Sequence, residues 1–233
     1  MLKLENISYS VDNKEILKNI SLNFKANKIY VITGPNGSGK STLSKIIMGI
    51  LKATSGKILL ENEDISSLSI DQRANKGISF AFQKPVTFKG IKVGQLLDIA
   101  SGKKNNVGRA CEYLSMVGLC AKDYVNRYLD DNLSGGELKR IELAMALAKG
   151  GKVILFDEPE AGIDIWSFSK LTDIFSSLDC TCIIVSHQRK ILEIADEVIL
   201  LSDGQIEKIG SFQEIQPLLE KKRCSKLSGG ENE

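Results

Sequence analysis

The chain has 233 residues, and its 31 basic and 29 acidic side chains leave a formal net charge of +2. This near balance gives no electrostatic reason to expect nucleic acid as a partner, and the length suits one large α/β domain. The longest apolar runs have strand length, far below the roughly 18 residues of a membrane span, and the first residues lack a signal-peptide pattern. The five cysteines, an odd number, suggest no disulfide framework. We therefore expect a cytoplasmic protein with no direct membrane insertion.

The N-terminal segment has the alternation of an antiparallel sheet that is covered on one face. Within residues 1–31, the apolar residues Ile20, Leu22 and Phe24 alternate with polar ones. We expect several short strands here, ahead of the first motif that carries chemistry.

A glycine-rich stretch from Gly34 to Thr42 has the G-x-x-x-x-G-K-[ST] spacing of a phosphate-binding loop. A strand pattern precedes it and an amphipathic helix pattern follows it, so that free backbone N–H groups and the helix dipole converge on an anion. Lys40 can then reach the β- and γ-phosphates, and Ser41 can place its hydroxyl on Mg²⁺. The stretch therefore predicts nucleotide binding. The expected nucleotide-binding residues are Gly34, Pro35, Asn36, Gly37, Ser38, Gly39, Lys40, Ser41 and Thr42.

Beyond residue 84 the sequence changes character, because glycines separate short helical stretches. Two of these stretches are Gln95–Ala100 and Val107–Val117. We expect an inserted helical subdomain over about 84–150, within a single domain that covers 1–210. Residues 211–233 form a polar, basic C-terminal tail that we expect to fray.

The pentapeptide Leu133-Ser134-Gly135-Gly136-Glu137 has the spacing of a helix capping box. The apolar stripe that follows it predicts a helix whose first N–H groups are uncovered. Such a helix end is a second candidate anion site, although an ordinary helix cap has the same pattern.

Two later strand patterns end in polar residues. Val153–Phe156 runs directly into Asp157 and Glu158, and Cys182–Val185 is followed by Ser186 and His187. Since α/β sheets place their chemistry at the carboxyl ends of strands, we expect Asp157 to hold Mg²⁺ through water and Glu158 to face the attacking water. His187, the only histidine, would contact the γ-phosphate, and a purely structural histidine is the alternative.

These motifs resemble those of the ATP-binding cassette (ABC) ATPases over residues 1 to about 210. The resemblance implies a RecA-like core with a mixed or parallel sheet, an N-terminal antiparallel β subdomain and an inserted helical subdomain. It also implies Mg²⁺-dependent ATP hydrolysis, with ATP and Mg²⁺ as cofactors. The motifs that carry it are, in chain order, Gly34–Thr42, Gln83, Leu133–Glu137, Val153–Glu158, Ala161–Asp164 and His187.

The same resemblance implies roles for individual residues in an ATP-dependent, head-to-tail homodimer. Gln83 would sense both the metal and the water, and Glu158 would polarise that water. Ser134 and Gly136 of the second chain would complete each site, and Asp164 would lie at the subunit seam.

An aromatic residue stacks on adenine in many such cassettes, and Tyr9 lies near that place in this sequence. The usual position falls nearer Val11, so ordinary packing of Tyr9 in the sheet stays an alternative.

Within the family, three stretches resemble SufC, the ATPase of iron–sulfur cluster assembly, in its short archaeal and anaerobe-type form. They are Gly135–Glu142, Glu158–Phe168 and Ala81–Val86. This resemblance implies a SufB-like scaffold as partner, with a groove beside Gln83 that receives a scaffold helix. Pro85, Val86, Phe88 and Ile91 are candidates to line the groove, and packing within the subdomain is their alternative. The alternative function is the nucleotide-binding subunit of a membrane importer.

Overall fold

The computed structural model describes residues 1–83, 88–102, 107–129, 133–162 and 165–227. Its strands are β1 (Leu2–Val11), β2 (Lys14–Phe24), β3 (Ile29–Thr33), β4 (Ser55–Leu60), β5 (Glu63–Asp64), β6 (Ile78–Ala81), β7 (Val153–Asp157), β8 (Thr181–Val185), β9 (Glu197–Ser202) and β10 (Gln205–Gly210). Its helices are α1 (Lys40–Met48), α2 (Ile70–Asn75), α3 (Val93–Ser101), α4 (Val107–Met116), α5 (Ala121–Tyr124), α6 (Gly135–Lys149), α7 (Ile165–Ser177), α8 (Arg189–Glu193) and α9 (Phe212–Leu227).

The N-terminal strands form an antiparallel sheet in the order β2-β1-β4-β5. Ile20, Leu22 and Phe24 are buried, and the residues between them are exposed, as the alternation predicts. This sheet packs its apolar face against α1, which follows the phosphate loop.

The central sheet has the order β10-β9-β3-β8-β7-β6, and only its edge strand β10 runs antiparallel. β7 and β8 are buried along their whole length, which explains their unbroken apolar runs. The carboxyl ends of β3, β7 and β8 therefore meet at one edge, where the phosphate loop begins. These two sheets confirm the predicted mixed α/β cassette fold.

In chain order, helices α3 to α6 come between strands β6 and β7. The predicted helical stretches Gln95–Ala100 and Val107–Val117 are confirmed as α3 and α4, and both pack against α6. Val93, Leu96 and Leu114 are buried among these helices. The division into a 1–210 domain with an insertion at about 84–150 stays a prediction.

Residues 212–227 form helix α9, so the expectation that the chain frays beyond residue 210 was wrong for this segment. Ser211 precedes the helix, and its N–H and hydroxyl both donate to the Glu214 carboxylate. Ile215 is fully buried, because α9 packs against β9 and β10. Among the described residues, no helix is long and apolar enough to cross a bilayer.

Candidate functional site

The loop between β3 and α1 has a backbone that only glycine fits at two of its corners. Gly34 and Gly39 have φ angles of +144° and +98°. A Cβ atom on Gly34 would stand 1.9 Å from the carbonyl oxygen of Leu201, and one on Gly39 would stand 2.6 Å from a methyl group of Leu17. The loop is thus wrapped tightly around the N-terminal end of α1, with its backbone N–H groups available to an anion.

Polar side chains of the loop fit a bound phosphate. Lys40 is buried, and its ammonium group donates to the carbonyl oxygens of Gly34 at 2.9 Å and Pro35 at 2.8 Å, directly over the loop. The buried Ser38 hydroxyl has no hydrogen-bond partner among the described residues. Asn36 and Gly37 form the exposed tip of the loop.

Ser41 and Asp157 come together although they are far apart in sequence. The Ser41 hydroxyl donates to Asp157 Oδ1 at 2.9 Å. Burial raises the pKa of the Asp157 carboxyl, the nearby Glu158 raises it further, and the Ser41 hydrogen bond opposes both. A hydroxyl and a buried carboxylate beside a phosphate loop are oxygen donors of the kind that Mg²⁺ prefers, so these residues fit the implied cation.

Gln83 and Glu158, to which the resemblance assigns the metal and the attacking water, also meet. Gln83 Nε2 donates to Glu158 Oε2 at 2.6 Å. Glu158 has a φ of +47°, and its backbone N–H donates to the carbonyl of Val185 at 2.9 Å. A left-handed conformation at a non-glycine residue is strained, and such strain concentrates at functional sites.

His187 lies beside the phosphate loop. With Thr33, Gly34 and Asn36 it borders a cavity of about 280 Å³, which residues of α8 and α9 also line. The preceding Ser186 is fully buried, and its hydroxyl donates to Glu160 Oε1 at 2.5 Å. Burial raises the pKa of the Glu160 carboxyl.

The predicted capping box at Ser134 is confirmed. The Glu137 N–H donates to Ser134 Oγ at 3.3 Å, and the Ser134 N–H donates to Glu137 Oε2 at 2.7 Å. The Tyr124 hydroxyl also donates to Glu137; together with Ser134 it lowers the pKa of the Glu137 carboxyl to about 2.

This cap fixes the conformation of the pentapeptide and leaves the first of its two glycines exposed. Leu133 is buried beneath the helix end, whereas Ser134 and Gly135 are exposed. A Cβ atom on Gly136 would stand 2.9 Å from the carbonyl oxygen of Gly162, so this position accepts only glycine without movement.

The remaining residues predicted to contact nucleotide or partner lie in different parts of the structure. Tyr9 lies on β1 opposite Leu17 and packs against the core of the N-terminal sheet. Phe88 lines a groove, whereas Ile91 packs among the helices. Asp164, Pro85 and Val86 lie outside the described residues.

The groove is a largely apolar cavity of about 330 Å³ between the central sheet and α6. Its exposed aromatic rings are Phe82 and Phe88, and Ile70 is exposed at its rim. Phe80 packs edge-on against Phe82, with ring centroids 4.7 Å apart. An exposed apolar groove of this kind is typical of a protein-interaction site.

Sequence reasoning missed four residues around the site: Lys139, Glu142, Glu160 and Ser186. Lys139 and Glu142 form a buried ion pair on α6 that bonds to the backbone at Phe82. Each was visible as a polar residue beside a motif, but its contacts depend on how β6, β7, β8 and α6 pack together.

Known proteins are similar in sequence to this chain over nearly its whole length. A family model described as ABC transporter matches residues 17–161. An uncharacterized ABC transporter ATP-binding protein of Methanocaldococcus jannaschii is 38% identical, over 97% of this chain and 94% of its own length. The sulfate/thiosulfate import ATP-binding protein CysA of Mannheimia succiniciproducens is 33% identical, over 92% of this chain and 62% of its own length.

Solved structures with the same architecture include nucleotide-bound cassettes. The dimeric, post-hydrolysis state of an ATP-binding cassette bound to ADP and Pi has a TM-score of 0.80 at 28% identity, over 91% of this chain and 99% of that chain. The ADP conformation of an ATP-binding cassette of an ABC transporter has a TM-score of 0.81 at 28% identity, over 99% of both chains.

Proposed function

This chain belongs to the ATP-binding cassette family and hydrolyses ATP, and we propose that it does so as a head-to-tail homodimer that drives a scaffold protein of iron–sulfur cluster assembly. The observation that carries the catalytic part is the convergence of the phosphate loop, Asp157, Glu158 and Gln83 at one edge of the central sheet. Each residue role below is part of this proposal.

The phosphate loop would hold ATP through its backbone N–H groups, the Lys40 ammonium and the Ser38 hydroxyl. Ser41, Asp157 (through water) and Gln83 would hold Mg²⁺, which supplies neutralisation of phosphate charge when it is bound. Because the Ser41 hydroxyl already donates to Asp157, both oxygens face the same volume. Tyr9 would approach the adenine from β1.

Glu158 would accept a hydrogen bond from the attacking water. Its strained backbone is tied to β8 and its carboxylate is bonded to Gln83, so both ends of the side chain are positioned. His187, which lies beside the loop, would donate to the γ-phosphate. Charge that builds up on that phosphate needs preorganised donors on more than one side.

The second subunit would supply the remaining donors. Ser134 and Gly135 are exposed at the N-terminal end of α6, where the helix dipole attracts an anion. Ser134 and Gly136 would face the γ-phosphate of the opposite chain. Leu133 and Glu137 would hold this end in shape, and Asp164 would lie at the seam.

The choice of partner rests on the resemblance of Gly135–Glu142 and of Glu158–Phe168 to SufC, together with the groove beside Gln83. Phe82 and Phe88 would receive an apolar helix of a SufB-like scaffold there. The similarity to a sulfate/thiosulfate import ATP-binding protein favours a second candidate, the nucleotide-binding subunit of a membrane importer, in which the same groove would receive a membrane subunit.

Replacement of Glu158 by Gln tests the catalytic part. The glutamine oxygen can still accept the hydrogen bond from Gln83, but an amide polarises water poorly. We therefore expect the rate of ATP hydrolysis to fall by at least 100-fold, and a stable dimer with bound ATP to accumulate. Turnover and size-exclusion chromatography with ATP measure both effects. Glu63→Gln, at an exposed ion pair, is the matched control, with turnover within about twofold of wild type. Wild-type turnover in Glu158→Gln would show that another group polarises the water.

Affinity purification of the tagged chain from its native cells, without oxygen, tests the partner. Recovery of a scaffold with bound iron and sulfide in the membrane-free fraction supports the assembly function. Recovery only with a polytopic protein in detergent supports the importer.

A further inference from the structure

Helix α6 carries a buried ion pair close to the site. Lys139 is 1% exposed and Glu142 is 9% exposed, and Lys139 Nζ lies 3.2 Å from Glu142 Oε2. Removing two charges from water is costly, and a buried pair often stabilises a fold no better than apolar residues would. The pair therefore calls for an explanation beyond packing.

Both charged groups bond to one stretch of backbone. The Phe82 N–H donates to Glu142 Oε1 at 2.6 Å, and the Lys139 ammonium donates to the carbonyl oxygen of Phe82. Lys139 also reaches the carbonyl oxygen of Gln83 at 3.4 Å. The last ladder pair of β6 joins Ala81 to Phe156, so Phe82 lies just past the sheet and needs other partners for its polar groups.

The clasped backbone carries a side chain of the proposed catalytic centre. Gln83 follows Phe82 directly, and its amide group donates to Glu158 at 2.6 Å. The Phe82 ring lines the apolar groove, and α6 begins at the Ser134 cap. One ion pair on α6 thus holds the backbone that carries both the Phe82 ring of the groove and Gln83. Helix α6 is also the helix proposed to face the second subunit.

We propose that Lys139 and Glu142 are positioning residues that clasp the Phe82–Gln83 backbone, hold Gln83 against Glu158 and thereby set the rate of the hydrolytic step. This inference rests on the roles proposed above for Gln83 and Glu158. Neither residue of the pair touches the phosphate loop in the contacts above, so the clasp acts on turnover rather than on nucleotide affinity.

Lys139→Met tests the clasp, because it nearly keeps the length of the side chain and removes the ammonium group that donates to the carbonyl oxygens of Phe82 and Gln83. We expect kcat to fall about tenfold, with KM for ATP within twofold of wild type, since a small misplacement of a catalytic group is costly. In the nucleotide-free protein, the Phe82 amide should exchange its hydrogen faster. Lys139→Met/Glu142→Gln serves if the single variant folds poorly, because its pair is neutral and the glutamine oxygen can still accept from Phe82.

A double-mutant cycle with Gln83→Ala separates positioning from general stability. If Lys139 acts through Gln83, Lys139→Met should lower kcat by less than twofold in the Gln83→Ala background. Lys152→Met, which breaks an exposed lysine–glutamate pair with Glu61, is the matched control and should leave kcat within twofold in both backgrounds.

Two outcomes would overturn the inference. One is an equal loss of kcat in both backgrounds, and the other is an unchanged kcat with a lowered melting temperature; either makes the pair a structural feature only. Failure of the proposed catalytic roles looks different, because Glu158→Gln and Gln83→Ala would then turn over like wild type.

Discussion

At the scale of single residues, burial raises the pKa of three carboxyl groups around the site, those of Glu142, Asp157 and Glu160. The charge of Glu142 is opposed by Lys139, and that of Asp157 would be opposed by a divalent cation. Glu160 accepts a hydrogen bond from the Ser186 hydroxyl, and its second oxygen is buried without a hydrogen-bond partner among the described residues. The charge of Glu160 is thus compensated by hydrogen bonds rather than by a neighbouring cation in the contacts above.

Glu160→Gln should change how stability depends on pH. The folded pKa of Glu160 lies above its ordinary value of 4.5, so the folded state binds a proton more readily than the unfolded state does. Protonation of Glu160 therefore stabilises the folded state at low pH, and this stabilisation is lost as the pH rises through the folded pKa. Glutamine cannot titrate, and its oxygen can still accept from Ser186. Relative to wild type, we expect the free energy of unfolding of Glu160→Gln to rise between pH 5 and pH 8 in urea titrations.

Glu214 provides the control for this measurement. Its exposed carboxylate accepts two hydrogen bonds from Ser211, which lower its pKa. The stability that it contributes is present above its ordinary value of 4.5 and is lost only as the pH falls through the lowered pKa. The difference between wild type and Glu214→Gln should therefore stay constant from pH 5.5 to pH 8. An equally constant difference for Glu160→Gln would contradict the raised pKa.

At the scale of elements, α1 is held at both ends. Its first residues, Lys40 and Ser41, belong to the phosphate loop, and its last carbonyl groups are capped by Arg73. That guanidinium is 3% exposed and donates to the carbonyls of Ile46 and Ile47 at 2.7 and 2.8 Å. It also donates to the carbonyls of Ser66 and Leu68. The cation thus satisfies the buried C-terminal end of α1 and complements its dipole.

Arg73→Met should remove this cap and take away the donors that Arg73 supplies to buried carbonyl groups, of which Ile46 keeps a second donor in the Gly49 N–H. Each such group costs about 1–3 kcal/mol, so we expect the free energy of unfolding to fall by about 3 kcal/mol, measured in urea. Arg73→Lys keeps the charge but offers fewer donors in a different geometry, and its loss should be smaller. A loss below about 1 kcal/mol in Arg73→Met would mean that water or other groups replace the cap.

Elements that carry their own local signals were predictable from the sequence. The glycine spacing identified the phosphate loop, and the capping box at Ser134 identified the start of α6. Helix α9 had a comparable signal in the S-x-x-E spacing of Ser211 and Glu214, followed by the apolar Ile215, but its polar composition favoured a tail.

Contacts between elements that are distant in the chain could not be predicted from the sequence. The bond between Ser186 and Glu160 exists because β8 lies beside β7, with Asp157 opposite Val185. The Lys139–Glu142 clasp exists because α6 crosses the end of β6. Neither arrangement follows from residue spacing, since each depends on the order of strands and the packing of a helix that is distant in sequence.

At the scale of the whole molecule, each chain presents two anion-attracting ends on different elements. One is the phosphate loop at the start of α1, and the other is the exposed Ser134–Gly135 end of α6. In the proposed head-to-tail dimer, both ends of each chain would be in use, and a symmetric pair would contain two shared sites. Structural relatives include a dimeric cassette bound to ADP and Pi.

Mixing two inactive variants tests the shared sites directly. Lys40→Ala disables the phosphate loop. Gly135→Asp adds a negative charge where phosphate would bind, at a position where a Cβ atom meets nothing within 4 Å, so that α6 itself should tolerate the change.

Neither variant alone can form a complete site. A mixed dimer has one intact site, made from the phosphate loop of the Gly135→Asp chain and the helix end of the Lys40→Ala chain. If the two sites of a dimer work independently, random pairing should restore about one quarter of wild-type ATPase activity. Activity of the mixture that stays at the level of the separate variants would contradict independent sites shared between two chains.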